Sequence, residues 1–297
     1  MITPASSYYL SPFILHNLRF IKHWLHSRKY RSTISKNSKF KNIHQGKRCF
    51  ILGSGPSMKT ADLSGLATEH VIALNSFFLH PQLNSVLDKK GPQKYYLVPP
   101  NHPPQTRQDW IETLKQMEVK FENPLTMFWG IDFNKNNWKD LIEEENLFKG
   151  FDLNYFFCGI NIRDGYRFNA KHINPSELTF SASNALINGL AMALYMGFSE
   201  IFLLGFEHNH ICVKSANEYR FYDSSPHLEK EKSIDFGPNT ANDLNFNILA
   251  NNYFTFKIYL EMETKFPSQK IINLTPGGIL DVFRRSHLED VLKIKKP

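Results

Sequence analysis

A glycine-rich turn that can bind a phosphate follows the apolar residues 50–52. Its members are Gly53, Ser54, Gly55, Pro56 and Ser57. Two glycines one residue apart let a backbone approach a phosphate or a ribose closely, and the amide groups at the start of a following helix bind anions. The turn matches neither the complete GxGxxG dinucleotide pattern nor the Gly-Lys-Ser/Thr of a P-loop. Two interpretations of the turn alone stay open: a nucleotide-binding loop, and an ordinary connection from strand to helix.

Polar residues also follow two later apolar runs. Asn75 follows the run 71–74. Its side-chain amide can hydrogen-bond a base or a ribose or, alternatively, cap the next turn. Others lie at the start of a helix predicted over residues 183–196, where hydroxyls and free N–H groups suit an anion, and directly after the run 201–204. These candidate nucleotide-binding residues are Asn75, Ser181, Ser183, Asn184, Gly205 and Glu207.

The polar stretch 206–244 has little periodicity, and such long loops in enzymes are often lids over a site. A histidine that titrates near neutral pH is a suitable general base, and a tyrosine hydroxyl can hydrogen-bond a departing phosphate. The candidate catalytic residues are His208, His210, Tyr222 and His227, with Tyr219 as a further phosphate ligand. Glu207 and His210 are two ligands only, so the sequence predicts no metal site.

A second glycine turn follows the apolar run 271–274. Gly277 and Gly278 let the backbone approach a ligand, and Arg284 and Arg285 can neutralise a phosphate or an acidic sugar. The alternative is a rigid turn followed by a solvated basic pair.

Alternating strands and helices must position these residues. Apolar runs predict strands over residues 48–52, 71–74, 95–98, 126–129, 155–158, 201–204 and 271–274. Helical patterns cover residues 105–116, 138–147, 183–196 and 245–265. The order predicts an α/β fold of modified Rossmann-like type, with a mostly parallel sheet, helices on both faces and a lid inserted near the C-terminal third. Ligands then bind at the carboxyl ends of the strands.

Charge separates an N-terminal arm from the rest of the chain. Residues 1–48 hold ten Lys and Arg and no Asp or Glu, so the remaining chain carries 25 − 28 = −3 of the total +7. We therefore expect residues 1–46 to be a basic arm and linker, and residues 47–297 to be the catalytic domain with its lid at 206–244. Nucleic-acid binding, which needs a basic face on the folded domain, is not expected. Three widely spaced cysteines and no evident signal peptide favour the cytoplasm.

Residues 8–31 of the arm predict an amphipathic helix. Ile14, Leu18, Ile21 and Leu25 fall at helical spacing, and Phe13, Phe20 and Trp24 widen the stripe. One interpretation is an interfacial helix on the anionic inner membrane. The other is a helix that docks on the domain or on a second subunit of a homo-oligomer. Residues 32–47 are rich in Ser, Lys and Asn and predict a linker.

Taken together, these segments resemble a family of bacterial enzymes. The GxGPS turn after a strand, the Asn-x-Phe after the next strand, and the small-residue helix that leads into Gly197-Phe-x-x-Ile-x-Leu-x-Gly-x-Glu207 resemble the sialyltransferases of glycosyltransferase family 42. They equally resemble a wider group that includes 6-hydroxymethylpterin diphosphokinase-like proteins and motility-associated flagellin glycosyltransferases. The similarity covers roughly residues 46–290.

The resemblance implies a domain that binds a CMP-activated nonulosonic acid. Gly53, Gly55 and Asn75 match positions where the family holds the nucleotide, and Glu207 stands where the family usually has Asp. The phosphate-binding tyrosine that follows this strand in the family is absent, so Tyr219 or Tyr222 is expected to replace it. The family's catalytic histidine lies late in the lid, where the nearest candidate is His227, with His208 and His210 as alternatives.

The implied function is an inverting glycosyltransferase of bacterial surface glycan synthesis. Its partners are a CMP-sugar, either sialic acid or another nonulosonic acid, and a glycan acceptor, and it needs no further cofactor. An alternative is a diphosphokinase, in which Glu207 with Asp223 or Asp281 holds Mg²⁺. A third interpretation is a non-catalytic nucleotide-binding subunit of a glycan assembly complex.

Overall fold

A computed structural model describes residues 11–102, 105–134, 136–160, 168–181, 184–210, 218, 220–222 and 238–293. Nine strands form one sheet in which every pair is parallel. They are β1 Arg48–Leu52, β2 His70–Leu74, β3 Lys94–Val98, β4 Thr126–Ile131, β5 Asp152–Ile160, β6 Leu178–Phe180, β7 Glu200–Leu204, β8 Lys270–Asn273 and β9 Arg284–Arg285. The predicted α/β fold class is confirmed.

The helices enclose this sheet. They are α1 Pro12–Ser27, α2 Arg31–Ile34, α3 Leu83–Val86, α4 Arg107–Lys120, α5 Trp138–Glu144, α6 Ala185–Met196, α7 Pro238–Lys265 and α8 Leu288–Lys293. Several ends follow local signals. Thr106 and Asp109 form a capping box at the start of α4, and Gly197 ends α6 in the left-handed conformation. No helix in the described part of the chain is long and apolar enough to cross a membrane.

Apolar residues form the central strands because both faces of the sheet are covered. All five residues of β1 and all five of β3 are buried, as expected for parallel strands between two helical layers. Trp138 of α5 packs on Trp129 of β4 with ring centroids 5.5 Å apart. On the opposite face, the Asn188 amide of α6 donates to Cys158 Sγ of β5 at 3.9 Å.

The strand order creates one reversal. The sheet runs β6-β5-β4-β3-β2-β1-β7-β8-β9, so the chain moves in one direction from β1 to β6 and then returns to place β7 beside β1. Right-handed crossovers put the connections before and after β6 on opposite faces. The carboxyl ends of β1 and β7 therefore form a switch point, which is the usual ligand crevice of open α/β sheets.

The segment predicted as a linker is instead part of the domain. Residues 35–40 form a 3₁₀ helix, and Ile34, Asn37 and Phe40 are buried. The Asn37 amide donates to the backbone oxygens of Tyr155 at 2.7 Å and Pro175 at 2.9 Å. Two long-range hydrogen bonds and one buried ring hold a segment whose composition alone predicts a linker.

Candidate functional site

A cavity of about 240 Å³ lies at the switch point, between the carboxyl ends of β1, β2 and β7 and the start of α6. It gathers residues from six segments of the chain, at 53–55, 74–75, 99–102, 184–185, 205–210 and 220. The predicted site residues that line it are Gly53, Ser54, Gly55, Asn75, Asn184, Gly205, Glu207, His208 and His210.

The glycine turn runs against the end of β7 with no space for side chains. Gly53 N–H donates to Leu204 O at 2.8 Å and Gly55 N–H to Gly205 O at 3.0 Å. A Cβ atom at Gly53 would lie 2.5 Å from the Gly205 oxygen. A Cβ atom at Gly55 would lie 2.6 Å from Glu207 Cδ. The glycines are therefore required by the close approach of two backbones, which leaves their outer side open to the cavity.

Glu207 is a buried carboxylate at the floor of this cavity, with 5% of its surface exposed. Its Oε1 accepts from Ser57 N–H at 2.8 Å. Its Oε2 is buried and accepts no hydrogen bond from any described residue. A buried carboxylate oxygen without a donor is costly, so Oε2 is the oxygen of Glu207 whose hydrogen bonding the described residues leave incomplete.

Ser57 and Pro56 thus act indirectly. Pro56 begins a short 3₁₀ turn, Pro56–Lys59, and Ser57 gives its N–H to Glu207 rather than to a ligand. Neither residue lines the cavity.

His208 is held in place and kept neutral. It has a left-handed φ of 54° and is 4% exposed. Its Nδ1 lies 3.4 Å from Asn184 Nδ2 and its Nε2 lies 3.3 Å from Tyr259 Oη. Burial, with a smaller effect from His210, lowers the pKa of His208 to about 3. A neutral, doubly engaged imidazole joins α6 to α7 and orients Asn184, which caps α6 through Leu186 N–H at 2.9 Å.

Asn75 occupies the predicted position at the end of β2. Its φ of 49° is left-handed, a conformation that Asn tolerates better than most residues. The Tyr96 hydroxyl donates to its backbone oxygen. This turn places Asn75 in the wall of the cavity.

Two charged or titratable residues of the wall were not predicted from the sequence. Arg220 lines the cavity, and its Nη1 donates to Ser54 Oγ at 3.4 Å. His102 lines it from the β3 side, after Pro99 and Pro100. Burial raises the pKa of the nearby Asp132, and backbone hydrogen bonds, chiefly from Asn134, oppose that rise. The signal for His102 was its position just beyond the carboxyl end of a strand.

A second cavity of about 90 Å³ adjoins the first and shares Ser54, Asn75, His102 and Arg220 with it. Its far wall is aromatic, with Trp110, Trp129 and Trp138. Two rim contacts hold the shared wall: Tyr222 Oη donates to Ser76 Oγ at 3.2 Å, and Phe221 N–H donates to Ser54 O at 3.2 Å. Tyr222 is buried and supports this wall rather than lining the first cavity.

The second glycine turn supports the site from behind. Ile279 N–H donates to Glu207 O at 2.8 Å, and a Cβ atom at Gly278 would overlap the Glu207 backbone. Arg285 donates to the oxygens of Gly277 at 2.7 Å and Thr275 at 3.0 Å. Its Nε lies 2.7 Å from Asp281. Arg285 was predicted to bind a phosphate, but its N–H groups donate to backbone oxygens of the turn and to Asp281.

Other predicted residues lie away from the cavity or outside the described residues. Gly277 and Arg284 do not line it. Arg284 lies in β9, a short exposed strand at the edge of the sheet. Ser181 donates its N–H to Ile160 O at 2.8 Å and is exposed. The predicted residues Ser183, Tyr219, Asp223 and His227 lie outside the described residues.

Comparisons with known proteins found no matching family and no curated relative. Two solved structures are similar. The sialyltransferase CstII from Campylobacter jejuni, in complex with a substrate analogue, cytidine-5'-monophosphate, is 18% identical with a TM-score of 0.44, over 81% of this chain and 85% of that one. The MAf glycosyltransferase from Magnetospirillum magneticum AMB-1 is 13% identical with a TM-score of 0.46, over 90% of this chain and 39% of that one.

These two proteins belong to the groups that the sequence motifs resemble. With TM-scores below 0.5, however, neither says which reaction this chain performs.

Proposed function

We propose that this chain is an inverting glycosyltransferase that takes a CMP-activated sugar and transfers it to a glycan acceptor of the bacterial surface. One observation carries the proposal. The segments that resemble the sialyltransferases, around Gly53, Asn75 and Glu207, are separated by 22 to 154 residues, and they meet around one cavity at the switch point. The convergence places all three family-like segments at the ligand crevice of the sheet.

The donor nucleotide fits the β1–β7 side of the cavity. The backbone of Gly53 and Gly55 lines this side and would contact a ribose, whose hydroxyl would donate to the Glu207 carboxylate once Oε2 turns from its buried position toward the cavity. The Asn75 amide offers both a donor and an acceptor to the base. The phosphate would face Arg220 and the N-terminus of α6, a twelve-residue helix.

The reaction is a direct displacement. The acceptor hydroxyl oxygen forms a bond to the anomeric carbon as the bond from that carbon to the phosphate oxygen breaks. CMP leaves with the electron pair, and the hydroxyl proton goes to a general base. Arg220 would stabilise the charge that develops on the departing phosphate. The aromatic second cavity, on the far side of Asn75 and His102, would hold the acceptor sugar.

The base would be a histidine, and the family resemblance favours His227, with His208 and His210 as alternatives. His210 and His102 both line the cavity. His208 is unsuited to the role, because burial lowers its pKa to about 3 and both ring nitrogens have partners. Replacing the true base by Ala should slow CMP release by about 10²–10⁴-fold while the Kd of CMP stays the same. If Ala at His227, His210 and His102 each leaves CMP release at the wild-type rate, base catalysis by these residues is excluded.

Incubation with CMP-N-acetylneuraminate and, separately, with ATP tests the function. We expect CMP release that EDTA does not abolish, and its loss in Glu207→Gln. Asp281→Asn is a matched control, because Asp281 is an exposed partner of Arg285 and does not line the cavity. Metal-dependent formation of AMP from ATP would instead identify a diphosphokinase. Tight CMP binding without turnover of any CMP-sugar and acceptor would identify a binding subunit.

A further inference from the structure

Helix α1 carries its apolar stripe on the side that faces away from the protein. Ile14, Leu18, Ile21 and Leu25 are spaced by four, three and four residues, which places them on one helical face. Each is between 44% and 52% exposed. A helix on a domain surface normally buries such a stripe. Here the described residues leave it uncovered.

The opposite face of α1 holds the helix in this orientation. The His23 ring lies 4.3 Å from the Phe133 ring, edge to face. Its Nδ1 sits directly over β5, where a Cβ atom at Gly159 would come within 2.7 Å. Ser27, one turn further on, is 6% exposed. The outward direction of the apolar stripe is therefore set by packing against the sheet.

Positive charges border the stripe. Lys22 and Lys29 follow Leu18 and Leu25 by four residues, so they lie beside it, and Arg28 continues it by one more helical step. The Arg28 guanidinium lies over the Trp24 ring at 5.2 Å. Residues 1–48 contain ten Lys and Arg and no acidic residue.

A basic groove opens next to the stripe. It has a volume of about 550 Å³ and lies between α1, α2 and the segment before β6. Ile21 and Trp24 form its apolar wall, and its basic residues are Arg28, Arg31, Lys171 and His172, against the single acid Glu177. The groove therefore places positive charge immediately beside exposed apolar side chains.

We propose that this face of α1, with the basic groove beside it, binds an anionic phospholipid bilayer. The apolar stripe enters the boundary between headgroups and acyl chains, while Lys22, Lys29 and the groove contact the phosphates. The charge decides between this occupant and a second copy of the chain, because two copies would bring the same positive surfaces together. The proposal does not depend on the reaction at the cavity, which lies at the switch point.

Sedimentation of the full chain with vesicles tests the proposal. We expect binding to phosphatidylcholine vesicles that contain phosphatidylglycerol, weak binding to phosphatidylcholine alone, and a decrease with added salt. Ile21→Glu with Leu25→Glu should weaken binding at least tenfold. Lys22→Glu with Lys29→Glu, which leaves the stripe intact, should weaken it by about fivefold or more per removed cation. Val119→Glu is the matched control, because Val119 is an 80% exposed apolar residue of α4.

Three results would overturn the proposal. The first is a wild-type chain that does not sediment with anionic vesicles. The second is a chain that sediments equally well with both substitutions at Ile21 and Leu25. The third is a dimer in solution that Ile21→Glu with Leu25→Glu converts to a monomer, since that outcome assigns the stripe to a second copy.

Discussion

Replacing Gly55 by Ala tests whether the contact between the glycine turn and Glu207 builds the site. Gly55 has a φ of −70° and ψ of 165°, a conformation open to any residue, so Ala adds no backbone strain. The effect is steric. The new Cβ atom would lie 2.6 Å from Glu207 Cδ and 2.8 Å from Gly205 O, and both distances are too short for real contacts.

The structure sets the size of the effect. Either the turn moves outward and loses the bond from Gly55 N–H to Gly205 O, or Glu207 rotates and loses the bond from Ser57 N–H, which is 2.8 Å long. Overpacking of this kind costs about 1–3 kcal/mol of stability. In the proposed binding mode a displaced Glu207 also loses its hydrogen bond from the ribose hydroxyl. A hydrogen bond to a charged group is worth about 1.5–3 kcal/mol, which corresponds to about a 10- to 150-fold increase in the Kd of CMP.

Calorimetric titration with CMP and denaturant unfolding measure the two effects. Gly65→Ala is the matched control, because its Cβ atom would meet only the end of the flexible Leu292 side chain, and we expect little change in either measurement. In a Glu207→Ser background, Gly55→Ala should cost less stability, because the carboxylate is no longer in the way. Wild-type CMP affinity in Gly55→Ala would refute the site, and an equal stability cost in both backgrounds would refute the contact with the carboxylate.

Three further predictions follow from named contacts. Burial lowers the pKa of His44 to about 4 and of His208 to about 3. Between pH 7 and 5 these histidines become protonated in the unfolded chain but not in the folded one, so the free energy of unfolding should fall by about 2 kcal/mol per histidine. A denaturant midpoint that does not change with pH over this range would contradict the prediction. Arg220→Met should raise the Kd of CMP about tenfold and leave that of cytidine unchanged, since the charge faces the phosphate. Arg285→Ala should cost about 1–3 kcal/mol of stability without changing the Kd of CMP, because this arginine holds four backbone oxygens of the turn.

Most of the strands that the sequence predicts correctly are buried on both faces, whereas β8 buries alternate residues. The run Arg48–Leu52 coincides with β1 because a central parallel strand needs apolar side chains above and below the sheet. Two short strands carried no such signal. Leu178–Phe180 has three residues and Arg284–Arg285 has two, and they are strands because a neighbour with free backbone groups lies beside them. The local sequence of a two- or three-residue segment does not show which strand will lie beside it.

The arm shows a similar limit. Its helical periodicity predicts α1, but not which face would touch the domain. The stripe left membrane insertion and docking on the domain both open; in the structure Phe20, His23 and Ser27 pack against the domain, and Ile14, Leu18, Ile21 and Leu25 stay exposed. The partner surface decides the orientation: Gly159 has no side chain, so the His23 ring can lie against β5 there. This glycine lies where the register between β5 and the edge strand β6 shifts.

In the site, the rule that polar residues gather at the carboxyl ends of strands found the β1, β2 and β7 contributions. It also applied to His102, which follows β3, but the sequence alone does not show that β3 lies next to β2. Arg220 lies in a long polar stretch that also holds seven candidate residues from Glu207 to His227. Its place in the wall shared by the two cavities, with Nη1 3.4 Å from Ser54 Oγ, is evident only in the structure.

The structure separates the electrostatic roles of His208 and Glu207, two neighbouring residues that the sequence placed in the same candidate site. His208 was a candidate base, yet its imidazole stays neutral down to a pH far below the physiological range. It therefore contributes no positive charge to a phosphate, and Glu207 contributes a negative one. Among the described residues, Arg220 and the N-terminus of α6 are the features of the wall that would balance a phosphate bound in this cavity. Because α6 is capped by Asn184, which His208 orients, the buried histidine acts on the phosphate by fixing the helix that faces it.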